Sequence, residues 1–277
     1  MKWRRHGGFI LGSILVSVFL LLGLFASLIP GLDPLSTSPE EALERPGPNH
    51  LFGTDALGRD LLARILEGAR ISLLVGVFSR GIALSLGTLA GLFAGYHGGI
   101  VDQILMRLAD MTLSFPALLL LVAVVSSFGA SLLVLFLALG FLGWAQVARV
   151  IRSRVLVLRS EEFVEAAVAN GAGTARILFL HILPSCMAPL MVLFSMGMAT
   201  AIIAEGSLSF LGLGAQAPQV SWGTLVRDGY EYIRTAPWLT FLPGMAMALA
   251  VLGFNLLGDA LRDLLDPRGL PHREGKQ

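Results

Sequence analysis

Charge is what this sequence has least of. Of its 277 residues only 14% are charged, against 55% hydrophobic, and the mean hydropathy is +0.76. Soluble domains carry about 25% charged residues, so the composition excludes an ordinary water-soluble domain. Lysine is almost missing, with Lys2 and Lys276 standing at the two ends. A phosphate-binding loop needs lysine in Gly-x-x-x-x-Gly-Lys-Ser/Thr, so the chain has no ATP-hydrolysing loop of its own. Cys186 is the single cysteine, which excludes an internal disulfide and a cysteine-rich metal cluster. The histidines (His6, His50, His97, His181 and His272) are scattered without metal-ligand spacing. Neither His-Glu-x-x-His nor Gly-x-Ser-x-Gly occurs, so no catalytic site, metal or cofactor is expected and the chain is not itself an enzyme. A net charge of +1 speaks against a nucleic-acid partner. Strand-like alternation is also missing, which disfavours a transmembrane β-barrel.

What the chain does have is long apolar runs. Residues 10–32, 111–148 and 235–258 carry no charge, and 177–204 holds only His181. A helix needs roughly 20 apolar residues to cross the hydrocarbon core. The run 111–148 is long enough for two crossings with a turn at 126–131, and residues 73–96, interrupted by Arg80 alone, supply another. Six membrane-spanning helices are therefore predicted. The first apolar stretch exceeds a signal peptide's usual length of about 7–15 residues and reads as an uncleaved span. With the amino terminus in the cytoplasm, 13 basic residues fall on the inner side and six on the outer. This bias predicts that both termini are cytoplasmic.

The segments between spans are informative. An outer segment at about 31–70 is rich in proline and acidic residues, and its stretch "IPGLDPLSTSPEEALERPGP" reads as an extended loop. Leu57, Leu61, Leu62, Ile65 and Leu66 then recur at helical spacing, as in a surface amphipathic helix or a plain connector leading into span two. Gly87, Gly91 and Gly95 lie four apart on one face, a seam for close helix packing within the chain or between chains. Arg80 is an intramembrane charge that either lines a translocation route or is held by a neighbour or the interface. The stretch "EGSLSFLGLGAQAPQVSWGTLVRDGYEYIRTAPW" reads as an ordered, partly re-entrant outer element, or as a structured loop without a direct role.

"EEFVEAAVANGAGTARILFLHILPS" is a polar interruption between spans four and five. Glu161 and Glu162 suit a helix N-terminus. Gly171 supplies a turn that other residues adopt at a cost, and a second short helix over 174–181 is expected to end at Pro184. Two short helices joined at a glycine form a compact knob suited to docking in another protein's groove.

These residues resemble a known family. Glu165-Ala166-Ala167, Gly171 and Leu183-Pro184 are similar to the EAA loop of ABC importer permeases, with His181 where that motif commonly has isoleucine. "FGTDALGRDLLARILEGARISL", "VDQILMRLADMTLSFP", "SLSFLGLGAQAP", "SWGTLVRDGYEYI" and "GFNLLGDALRDLLDPR" resemble the peptide/nickel branch of that family, in order and over nearly the whole chain beyond the first span. The resemblance implies an all-α membrane protein with the type I importer permease fold. It divides the chain into a first span and outer segment (1–70), a permease core (71–265) with its coupling loop at about 155–185, and a cytoplasmic tail (266–277). It further implies a heterodimer with a second permease and two ATP-binding subunits docked on the 161–184 loop. An extracytoplasmic binding protein delivers the cargo. In that family Glu165, Ala166, Ala167, Gly171, His181, Leu183 and Pro184 belong to the ATPase-coupling region. Peptides are the first expectation for substrate and metal chelates such as nickel complexes the second. A secondary transporter would need mid-membrane acids or histidines, and the spans offer only Glu205, near the outer end of span five.

Overall fold

The computed structural model describes residues 2–25 and 33–265, and the expected tail at 266–277 lies outside them. Five helices are long and apolar enough to cross a membrane. They are α1 (Lys2–Phe25), α2 (Leu61–His97), α5 (Leu132–Leu158), α7 (Met187–Phe210) and α9 (Trp238–Leu265). A bent pair, α3 (Gly99–Ser114) and α4 (Ala117–Phe128), meets at 89° and counts as a sixth candidate if taken as one broken span. Shorter helices include α6 (Glu162–Ala169) and α8 (Trp222–Tyr230). The all-helical architecture with five or six candidate crossings agrees with the one expected from the sequence.

The bend explains why residues 111–148 do not form two plain spans. Pro116 has no N–H to donate, and its ring pushes Phe115 to extended backbone (ψ 143°). At 1.5 Å per residue the 12 residues of α4 rise about 18 Å, short of a hydrocarbon core of about 30 Å. The remaining polypeptide, α3, turns aside and packs on α5. Its Asp102 and Asp110 pair with Arg152 and Arg149 of α5. The turn into α5 falls at 129–131, where Gly129 has φ +90° and Ser131 caps the helix by accepting from the Val134 N–H at 3.3 Å.

α2 is longer than any crossing requires. Asp60 caps it, accepting from the Ala63 N–H at 2.9 Å, and the helix runs unbroken from the amphipathic stretch through the span. Its first turns are buried against the rest of the chain: Leu61, Ile65 and Leu66 are all enclosed. The loop before it is ordered by polar contacts, with His50 2.8 Å from Asp60 and Asp55 paired to both Arg59 and Arg64. Further along, α2 packs tightly on α5 through the glycine seam. A Cβ on Gly87 would stand 2.5 Å from the Trp144 carbonyl, and one on Gly91 2.7 Å from that of Ala148. The small-residue face therefore serves packing within the chain.

Apolar cores form at both ends of this bundle. One gathers Phe19, Ile65, Met198, Ile202 and Leu239 around the buried Trp222 of α8. The other gathers Leu92, Ile151, Val155 and Leu158 around Val164, Ile177, Leu178 and Ile182 of the polar interruption.

Candidate functional site

The interruption folds as a knob held by few anchors. α6 buries one residue, Val164, into the second core. Its other faces are open, and Glu165 and Ala166 are exposed while Ala167 is half-buried. α6 ends as predicted at Gly171, which has φ +76°. There the Gly171 N–H bonds to Val168 O at 2.9 Å and the Ala172 N–H to Ala167 O at 3.0 Å, so two end carbonyls of the helix are satisfied within the turn.

The second half departs from expectation. It does not stop at Pro184. Residues Thr174–Arg176 are α-helical, Ile177–Ile182 form a π-helix, Leu183–Ser185 are α-helical again, and α7 begins at Met187. The wider π turn, with its i→i+5 bonding, lets a helical path accept Pro184, whose ring would press on the preceding turn of a regular α-helix. Leu183 is half-buried, Pro184 is exposed, and His181 sits part-way between core and surface. The knob is therefore joined to span α7 by nearly continuous helical backbone.

Its surface is neither fully polar nor fully apolar. Phe163, Val168, Phe179 and Leu180 are exposed, Leu180 at 65%, among Glu161, Glu162, Glu165 and Arg176. An exposed apolar set rimmed by charge is the pattern of a protein-contact surface. The structure gathers all seven coupling candidates (Glu165, Ala166, Ala167, Gly171, His181, Leu183, Pro184) into residues 165–184 of this one protrusion.

Arg80 is turned inward. Its Nε donates to Gly197 O of α7 at 2.6 Å and its guanidinium also bonds Thr200 Oγ1. Gly197 leaves the room for this, since a Cβ there would stand 2.4 Å from Arg80 Nε. Gly143 of α5 admits another guanidinium nitrogen at 3.2 Å from its Cβ position. Arg80 thus ties α2 to α7 through neutral oxygens. A nearby groove of about 810 Å³, between α1, α2, α7 and α9, is walled by residues such as Val77, Leu89, Met187, Met191 and Phe254. Among the described residues, none that lines it is ionisable.

At the opposite end the acid His50 contacts matter. The hydrogen bond to Asp60 raises the His50 pKa above 6.5; burial opposes this, and the charges of Asp60 and Glu41 add to it. Burial pushes the neighbouring Asp55 upward, but its backbone bonds, with Arg64 beside it, outweigh this and leave its pKa lowered. One polar cluster escaped sequence reasoning altogether. Glu205, Ser72, Ser209 and Ser221 meet in a fully buried network, although Ser72 and Glu205 are 133 positions apart. The only local signal was the i,i+4 spacing of Glu205 and Ser209.

The sequence has known relatives. Residues 87–269 match the family described as binding-protein-dependent transport system inner membrane component. The dipeptide transport system permease DppC of Alkalihalophilus pseudofirmus is 44% identical over 94% of this chain and 85% of that protein. The oligopeptide transport system permease OppC of Bacillus subtilis is 37% identical over 97% and 88%. The glutathione transport system permease GsiD of Pectobacterium atrosepticum is 43% identical over 81% and 75%. With a family match over about two thirds of its length and relatives covered over three quarters or more of theirs, this chain belongs to the inner-membrane permease components of binding-protein-dependent transport systems.

Proposed function

We propose that the chain is one of two unlike permease subunits of an ATP-driven importer for di- or oligopeptides in a bacterial cytoplasmic membrane. The observation that carries this reading is the knob at residues 161–184, exposed, partly apolar and continuous with a span, in a chain whose relatives are named as peptide permeases. The chain's two lysines lie at its termini, so the energy source sits on separate ATP-binding subunits. Those subunits dock on the knob, with Glu165, Ala166, Ala167, Gly171, His181, Leu183 and Pro184 forming or supporting the contact. ATP-driven closure displaces the knob, and the attached spans rock between inward- and outward-open forms. A binding protein delivers peptide to the opposite face, around α8 and the 33–60 segment. Both termini are then cytoplasmic, in keeping with the basic-residue bias. Arg80, on the way between the two faces, sits where its helix contacts change as α2 and α7 move, and it borders the path formed with the second permease.

Reconstitution tests this. Proteoliposomes holding this chain, its partner permease and the two ATPases, supplied with binding protein outside, are expected to accumulate labelled di- or oligopeptide only with ATP. Absence of uptake for every peptide length, with the assembled complex present, overturns the proposal.

A further inference from the structure

Span α7 carries one carboxyl group, Glu205, at 0% exposure. Both oxygens are taken. Ser72 Oγ of α2 donates to Oε2 at 3.1 Å, and Ser209 Oγ donates to Oε1 at 2.5 Å. Each serine is in turn supplied from α8. The Trp222 N–H donates to Ser72 Oγ at 3.3 Å. The Thr224 N–H donates to Ser221 Oγ at 3.3 Å, and Ser221 Oγ donates to Ser209 Oγ at 3.1 Å.

Donor counting fixes the direction of both lines. A backbone N–H can only donate, and a hydroxyl has a single proton to pass on. Two relays therefore start at the first turn of α8 and end on the two oxygens of one group. A buried polar group is costly unless it is hydrogen-bonded, and here the first turn of α8 reaches both oxygens of the carboxyl group through serine hydroxyls.

The mechanical consequence follows from continuity. α7 joins the knob by the nearly unbroken helical backbone of 174–185, and α8 rests directly on α7 and α2. Gly223 of α8 abuts the backbone of Gly206, the Trp222 indole N–H bonds to Ile65 O at 3.0 Å, and the Trp222 ring meets Phe19 edge-on at 5.4 Å. Apolar packing holds α8 in place, and the Ser221–Ser209 hydrogen bond, anchored on the Glu205 carboxyl, is a directional contact between α8 and the span that carries the knob.

We propose that Glu205 is a positioning residue that couples the two faces of the permease, so that binding protein seated on α8 acts on the knob through the Glu205–serine relays. This rests on the reading under Proposed function.

The test uses the reconstituted complex with Glu205→Gln and, in parallel, Ser209→Ala. Glutamine offers one acceptor where the relays need two, and Ser209→Ala deletes one relay while keeping the carboxyl group. Both variants are expected to assemble with normal basal ATPase. Stimulation by peptide-loaded binding protein should fall about tenfold in Glu205→Gln, the scale of one buried hydrogen bond, and less in Ser209→Ala. Stimulation equal to wild type in both overturns the coupling role, as does failure of both to assemble, which makes the network a fold element only. A wild-type complex that no binding protein stimulates removes the functional reading as well, whereas a stimulated wild type beside an equally stimulated variant removes this inference alone.

Discussion

Gly171 shows how much can rest on one backbone angle. At φ +76° it lies where β-branched residues fit poorly, yet a Cβ there would touch nothing within 4 Å. The cost of Gly171→Val is thus conformational, roughly 1–2 kcal/mol for a left-handed residue, and not a clash. The variant is expected to insert and pack normally but to lose most ATPase co-purification, because the turn that sets α6 against the rest of the knob is distorted. Co-purification and peptide uptake at wild-type level would show that the turn does not matter. His50 gives a pH dependence at the other end. Its folded pKa is raised above 6.5, so its contribution to ordering the 33–60 segment is complete below that value and is lost as pH rises through the raised one. Hydrogen exchange in residues 43–60 should therefore speed up over that alkaline side beyond its intrinsic pH trend, and His50→Gln should flatten the excess. The effect is small, since Glu41 and His50 are partly open to solvent.

Among elements, the seam between α2 and α5 gives the sharpest contrast. Gly91 faces the Ala148 carbonyl at 2.7 Å from its Cβ position, whereas a Cβ on Gly81 of the same helix meets nothing. Gly91→Leu is expected to destabilise the purified protein by about 1–3 kcal/mol or more through overpacking, while Gly81→Ala stays near neutral. Thermal unfolding in detergent measures both, and equal midpoints would remove the seam as a packing element. This seam was legible because a four-residue period of glycines has one structural use inside a bilayer. The long spans were legible from their apolar length, and the α6 turn from Gly171. The bend at Phe115–Pro116 was harder to see, because a charge-free run reports solvent but not direction, and the proline signal was outweighed by length. The continuation through Pro184 was missed for a related reason. A proline predicts a break in an α-helix, and only the structure shows the π turn that accommodates it. The Glu205 network depends on residues from α2, α7 and α8 meeting in space, which no local pattern encodes.

For the whole molecule, orientation is tested first by single cysteines in a Cys186→Ser background. Positions Thr37 and Thr235 are exposed at the α8 end and Ser160 at the knob end. An impermeant thiol reagent outside intact spheroplasts should label the first two and spare the third, and the reverse pattern would invert the topology. Subunit composition is the remaining question. The described residues present one knob, and the proposed mechanism brings two ATPases together beneath a pore, so on that proposal a second knob comes from another chain. A second copy of this chain is the natural competitor, since symmetric homo-oligomers are the commoner solution among proteins generally. We expect an unlike partner, in line with the resemblance to a branch built from two different permeases. Two differently tagged copies of this chain, co-expressed with a neighbouring permease and the ATPases, decide between them. Pull-down of one tag should recover the neighbour and both ATPases but not the second tag. Recovery of the second tag at equal yield, with uptake restored by this chain and the ATPases alone, would establish the homodimer instead.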